Sequence, residues 1–192
     1  MGYQLLIAPT AEPLELVDAK AHMRVSADDT SEDLLITSMI RAARQKAEQL
    51  TQRSLITQTW KYVFDCFDDC YPLLLAKGPH QSISSIVYKD MAGADQTLAT
   101  TDYVYDLSGP LARITPTFGK SWPVTLPQIA ACSVTFVAGY GGEAEDVPEG
   151  IRQWMLLRIA TLYEHREEFV TGTIVSPLPH VDCLLEPYRV IT

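Results

Sequence analysis

Long apolar runs are missing from this sequence. None approaches the roughly 18–20 residues that span a bilayer, so no membrane-spanning helix is expected. The opening residues, MGYQLLIAPTAEP, carry no basic leader and too short an apolar stretch for a secretory signal. Leu6 stands where a myristoylation signal has Ser or Thr. These features predict a cytoplasmic origin. Positive charge is scarce as well, with 15 Lys and Arg against 24 Asp and Glu, a net −9. Tight nucleic-acid binding draws on clustered Lys and Arg that release counterions. A high-affinity nucleic-acid binder is therefore not expected, although an acidic surface leaves DNA free to pass without sticking.

Cysteine is sparse and badly spaced for metal. Cys66 and Cys70 form a C-x3-C pair. In an extended strand they lie about 13 Å apart, too far for one disulfide or one metal, though a turn would bring them together. No second C-x2-C or H-x3-H pair completes a zinc site. With Cys132 and Cys183 they read as reduced structural thiols.

Catalytic constellations are equally thin. His165 sits among carboxylates in Tyr163-Glu164-His165-Arg166-Glu167-Glu168, a setting that can make a metal ligand or a general base. Only Glu168 shares its helical face, and H-E-x-x-H is absent, so the segment reads as a solvated charge run. His80 and His180 neighbour prolines and have no paired acid or Cys at a telling spacing. Ser82, Ser84 and Ser85 lack a G-x-S-x-G elbow. No catalytic, cofactor-binding or metal-binding residue is expected.

What is present is enough material for one good core. Of 192 residues, 47% are hydrophobic, and a chain of this length buries one core with room for an insert. Residues 14–24 read as a short helix with Leu14, Val17 and Ala21 on its apolar face, and an Asp18–His22 ion pair one turn apart. Residues 31–52 read as a long helix capped by Thr30, with Asp33 as capping-box partner. Its apolar set is Leu35, Ile36, Met39, Ile40, Ala43, Ala47 and Leu50. The period then changes to the strand alternation of LITQTWKYVFDC. Further strands are expected at 83–88, 96–98, 103–107, 112–115 and 133–138, parted by turn residues such as Ser108-Gly109-Pro110. A third helix begins near Asp146-Val147-Pro148-Glu149, a D-x-x-E box. It is apolar on more than one face through Ile151, Trp154, Met155, Leu157, Ile159 and Leu162, and so should be buried on several sides. A last short helical element carries Val181, Leu184 and Leu185.

The expected fold is α+β: a discontinuous helical core, 1–54 and 143–192, around a β-rich antiparallel insert, 55–142. The junction holds the one enzyme-like coincidence, Gly139-x-Gly141-x-x-Ala144, between a strand and a helix. A small soluble enzyme or nucleotide-binding protein using the Gly139–Gly142 turn is the alternative reading. Glu143, Glu145 and Asp146 would repel a pyrophosphate there, and the helix starts too late to present its amides. The stretch reads as a joint.

In order, Glu12-Pro13-Leu14-Glu15-Leu16 with Asp18 to Val25, Asp33-Leu34-Leu35-Ile36, Arg53 to Trp60, Phe136 to Gly141, Val147 to Gln153, Tyr163 to Glu167 and Leu184 to Arg189 make a succession. It resembles the head–tail connector (adaptor) proteins of long-tailed bacteriophages and prophages. The resemblance implies a non-catalytic virion structural protein, made in the host bacterial cytoplasm and assembled as a twelve-fold ring. Such a ring joins the portal to tail-completion or tail proteins, with DNA only in transient passage and no membrane. Shorter relatives carry little between the second and third helices, so the long β-module is a departure. Arg41, Arg44, Trp154, Arg158, Val181, Leu184 and Leu185 are the expected subunit-contact residues.

Overall fold

Strand alternation and helical periodicity resolve into two units in the computed structural model, which describes residues 1–68, 72–165 and 181–190. Met1–Pro9 with Thr57–Tyr140 form a β unit; Thr10–Ile56 with Gly141–Thr192 form a helical unit. The fold is α+β, as the patterning requires. The first nine residues go with the sheet instead of the helices.

In the β unit, a five-stranded antiparallel sheet runs in the order β1 (Gly2–Ile7), β2 (Gln58–Phe64), β8 (Cys132–Ala138), β4 (His80–Lys89), β5 (Asp95–Thr97). A second sheet of three strands has the order β3 (Leu73–Leu75), β7 (Ala112–Pro116), β6 (Tyr103–Asp106). The central strand, β8, shows the period of two most cleanly: Cys132, Val134, Phe136 and Ala138 are buried, and the residues between them are half-buried. Those side chains meet Leu75, Tyr103, Ala112 and Ile114 of the smaller sheet in one core, so the two sheets form a sandwich. An aromatic series lines it. Tyr62 stacks on Tyr3 at 4.6 Å and on Phe64 at 5.4 Å, and Phe67 stacks on Trp122 at 4.5 Å. Offset stacking adds to area burial.

Two strands escaped the sequence reading. β1 has no alternation, because as an edge strand it buries neither face fully. β3 is only three residues long. The alternation that began at Leu55 starts as a strand only at Gln58, since Leu55 and Ile56 are wholly buried in the helical unit.

The helical unit contains α1 (Leu16–His22), α2 (Asp33–Thr51) and α3 (Glu149–Glu164), the last packed on both others. The spine of α2 is Ile36, Ile40, Ala43, Ala47 and Thr51, a three-and-four repeat whose alanines permit close approach. The face read for α1 needs correction. Val17 and Ala21 are exposed, and Ala19 and Lys20 are buried, because the helix starts after Leu14 and turns its other side inward. Asp18 faces Arg152 at 3.9 Å, and the expected pair with His22 is not formed. The Thr30 cap is also absent. Glu32 holds the N-cap position without a capping bond, its carboxylate accepting the Tyr163 hydroxyl instead, and Asp33, the expected box partner, pairs with buried Lys20. Lys20 Nζ also donates to the Asp29 carbonyl at 2.7 Å, closing the loop between α1 and α2. In α3 the fully buried positions form one stripe, Ile151, Trp154, Met155 and Ile159, with the other apolar residues half-buried.

Candidate interaction surfaces

The glycine turn is the first place to look for chemistry, and its geometry closes it. Asp146 Oδ2 accepts the Glu143 backbone N–H at 3.0 Å, in a capping box around the 3-10 turn Ala144–Asp146. A Cβ placed on Gly141 would lie 1.9 Å from that same Oδ2. The glycine is there because a carboxylate lies against it, and that carboxylate already takes up the Glu143 N–H and would repel a phosphate. Helix α3 starts only at Glu149, with Pro148 before it. Ile56 and Gly141 form a parallel bridge, tying together the two points where the chain leaves and re-enters the helical unit. The turn is a joint.

Other candidate groups are structural or lie outside the described residues. His80 is buried, with Nε2 3.1 Å from the Ala76 carbonyl oxygen and its ring 5.3 Å from Phe136. Burial pushes the Cys132 thiol up to about 11, which leaves it unreactive near neutrality. Cys66 and Cys183 are exposed free thiols. Cys70, His180 and the acids Glu167 and Glu168 beside His165 lie outside the described residues. Among the described residues no cluster of three His, Cys, Asp or Glu is placed to hold a metal, and no helix is long and apolar enough to cross a membrane.

The expected contact residues divide. Arg44 is buried in its own unit: Nε donates to Glu12 Oε2 at 2.7 Å and Nη1 to Glu48 Oε2 at 2.9 Å. Glu48 Oε1 in turn accepts the Leu55 N–H at 3.0 Å, so one guanidinium fixes the chain before α2 and after it. Trp154 is also buried, its indole N–H donating to Asp182 Oδ1 at 2.9 Å. Leu185 is 1% exposed. The C-terminal segment thus docks on its own unit. Arg53 Nε donates to the Tyr188 carbonyl at 2.6 Å, and the Val190 N–H to the Thr51 carbonyl at 3.0 Å. It forms two 3-10 turns, Asp182–Leu184 and Glu186–Tyr188, not a helix, because Pro187 lacks the N–H a longer ladder requires. Arg41 and Arg158 are exposed, and Val181 and Leu184 half-buried.

Exposed apolar surface concentrates elsewhere, where the sequence reading did not place contacts. The loop 117–131 leaves Phe118 fully exposed, with Val124 at 76% and Ile129 at 87%. The loop is braced. Thr117 N–H donates to the Asp102 carbonyl, Thr117 Oγ1 to the Thr101 carbonyl, and Lys120 N–H to the Thr117 carbonyl, a turn with Gly119 at φ +82. Lys120 Nζ pairs with the Asp102 carboxylate. Trp122 is buried against Phe67, the Leu126 N–H donates to the Lys89 carbonyl, and the Ala130 N–H donates to Asp65 Oδ1. On the outer strand, Leu5, Leu6 and Ile7 are all substantially exposed. Neither site shows periodicity. The signal was apolar side chains set among Gly119, Pro123 and Pro127, where turn chemistry predicts exposure.

Comparison with known proteins fits this arrangement. Residues 13–92 match the model of the phage gp6-like head-tail connector protein family. No curated protein matches the sequence. Among solved structures, a chain from the virion of the native gene transfer agent (GTA) particle superposes with a TM-score of 0.83 at 22% identity. Chains from the neck of the empty GTA particle, computed with C6 symmetry, and of the native particle, computed with C12 symmetry, give 0.80 at 24% and 0.73 at 20%. Each covers 100% of this chain and 97% of the other, so the long β-module is shared and is not an addition to this fold. By sequence over residues 13–92 this chain is similar to the phage gp6-like head-tail connector protein family, and by fold over its whole length it is similar to chains of gene transfer agent virion and neck structures.

Proposed function

We propose that this protein is a non-catalytic virion component of a phage, prophage or phage-like particle, a head–tail connector that assembles as a ring between portal and tail. The observation that carries the reading is the whole-length fold likeness to chains of virion and neck structures, joined to the family match over 13–92. The acidic balance of the chain supports a conduit role, since a negative lining repels phosphates and lets DNA slide. The partners are other copies of the chain, the portal protein and tail-completion or tail proteins. Sedimentation across a concentration range, negative-stain imaging and binding to the cognate portal protein test this. Rings, or a stable complex with the portal, are the expected result. A chain that stays monomeric at every concentration and binds neither portal nor tail components is not a connector.

The nucleotide-binding alternative is disfavoured because the Asp146 carboxylate lies against Gly141 and holds the Glu143 N–H that a phosphate would have to compete for.

A further inference from the structure

We propose that copies of this chain associate head to tail, with the loop 117–131 of one copy seated on the apolar β1 edge of the next. The inference rests on the connector reading above and adds which surfaces meet.

Charge selects the surfaces. Two copies that each carry −9 repel, so contact is favoured where acids are missing. From Leu107 to Gly142 the chain has no Asp or Glu, so the loop's own side chains are free of acids and its carboxylate anchors are Asp102, paired with Lys120, and Asp65; residues 1–11 carry no charged side chain. Those two stretches hold the loop with Phe118, Val124 and Ile129, and the strand with Leu5, Leu6 and Ile7. Both belong to the β unit.

The loop is built like a binding anchor. Its backbone is pinned at Thr101, Asp102, Lys89 and Asp65, so presenting Phe118 and Ile129 to a partner costs little ordering entropy. Aromatic side chains, Phe included, are enriched at the cores of protein interfaces. The β1 edge is its counterpart. It ends the five-stranded sheet, lacks the Lys or Pro that protects free edges, and shows apolar side chains with unpaired backbone groups.

Topology places the two surfaces apart. The Tyr3 hydroxyl of β1 accepts the Ala76 N–H just past β3, so β1 and β3 share one side of the unit. Phe118 is held on the connection from β5 to β6, the strands at the other ends of both sheets. Across the larger sheet that is about 19 Å at the usual strand spacing. The far end of the loop returns toward β2, where the Ala130 N–H meets Asp65, so it is the Phe118 end that lies away from β1. Phe118 of one copy on the β1 edge of the next is then a contact between two different surfaces, a heterologous contact of the kind that builds rings when its rotation closes.

Two variants and their mixture test this by sedimentation velocity, with thermal melts confirming that each is folded. A loop variant carries Phe118→Ser and Ile129→Ser; an edge variant carries Leu6→Lys and Ile7→Lys. At concentrations where the wild type associates, each alone should be monomeric, needing about tenfold or more protein to associate. Mixed, they should give a 1:1 dimer and nothing larger, because one copy keeps its edge and the other its loop. Either variant assembling like the wild type, or a wild type that binds the portal yet stays monomeric at every concentration, overturns the inference and leaves the connector reading intact. Folded variants that stay monomeric when mixed overturn it as well. A wild type monomeric throughout that also fails to bind the portal overturns the connector reading itself.

Discussion

The two units are held by different chemistry. The β unit buries aromatic bulk, with Phe64, Phe136, Tyr103 and Trp122 meeting across two sheets. The spine of the helical unit contains small residues, Ala19, Ala43 and Ala47, together with buried charge, Lys20 and Arg44. A sandwich packs aromatic rings between two sheets, whereas the helices meet closely through alanine with aliphatic side chains such as Ile36, Ile151, Met155 and Ile159 filling the space around them. The helical unit adds ion pairs that tie its loops to its helices. Its connections, Glu12 and Leu55 on either side of α2, depend on one arginine.

The largest effect should come from emptying the aromatic core. Phe136→Ala removes a fully buried ring from the central strand and should cost about 3–5 kcal/mol. Ile36→Ala, also fully buried, is the matching change in the helical unit at about 2–5 kcal/mol. Native-state hydrogen exchange read by unit sharpens the comparison. If each substitution lowers protection only in its own unit, the two fold as separate cooperative blocks; equal loss in both would erase the distinction.

Arg44→Ala is next, at about 3 kcal/mol, because it leaves the Glu12 and Glu48 carboxylates facing each other without their shared cation. Chemical denaturation measures it. Arg44→Met with Glu12→Gln and Glu48→Gln should recover much of that loss, since a neutral set of similar volume no longer buries unpaired charge. A single Arg44→Ala within 0.5 kcal/mol of wild type would place the helical unit's stability in its apolar spine alone.

Gly141→Ala sharpens the junction between the units. The new methyl group would lie 1.9 Å from Asp146 Oδ2, so the carboxylate must leave and the Glu143 N–H loses its acceptor. A loss of about 1–3 kcal/mol is expected. Asp146→Ala combined with Gly141→Ala should recover the steric part but not the lost hydrogen bond.

Legibility in the sequence followed periodicity. The long helix, the late start of α3 and most strands could be read because Ile36, Ile40, Ala43 and Ala47 repeat at three and four, and Cys132 to Ala138 alternate at two. What could not be read depends on partners far along the chain. β1 becomes a strand only by pairing with β2, some fifty residues later. The inward face of α1 was misjudged because Lys20 is buried, which becomes affordable only when Asp33 and the Asp29 carbonyl come to it. Among the expected contact residues, Arg44, Trp154 and Leu185 had the right chemistry for an interface, but the chain uses them on itself. The exposed loop carried no pattern to read, because turn segments have no period.

The smallest effect concerns acid, and it too divides the units. In the β unit, Asp90, Asp102 and Asp106 are all held below the usual carboxylate range. For Asp90 the Gln96 amide is the largest cause, for Asp102 the Lys120 ammonium, and for Asp106 the Ser108 hydroxyl ahead of the Arg113 guanidinium. The helical unit has Asp29, lowered chiefly by the Ser31 hydroxyl. A carboxylate whose folded pKa is depressed stabilises the fold above its unfolded value, near 3.9, and that stabilisation is lost as pH falls through the folded value. All four groups reach solvent, Asp29 fully and the other three in part, so the gain is small and screened by salt. Local opening at the turns is therefore the readout, not global unfolding. As pH falls from about 5 toward 2, the amides of Ala92, Ala94 and Ser108, which donate to Asp90 and Asp106, should lose protection relative to their intrinsic exchange. Amides in the middle of α2 should keep theirs, since their acceptors are backbone carbonyls with no titrating partner. Loss of α2 protection before those turn amides would reverse the order of acid sensitivity between the two units.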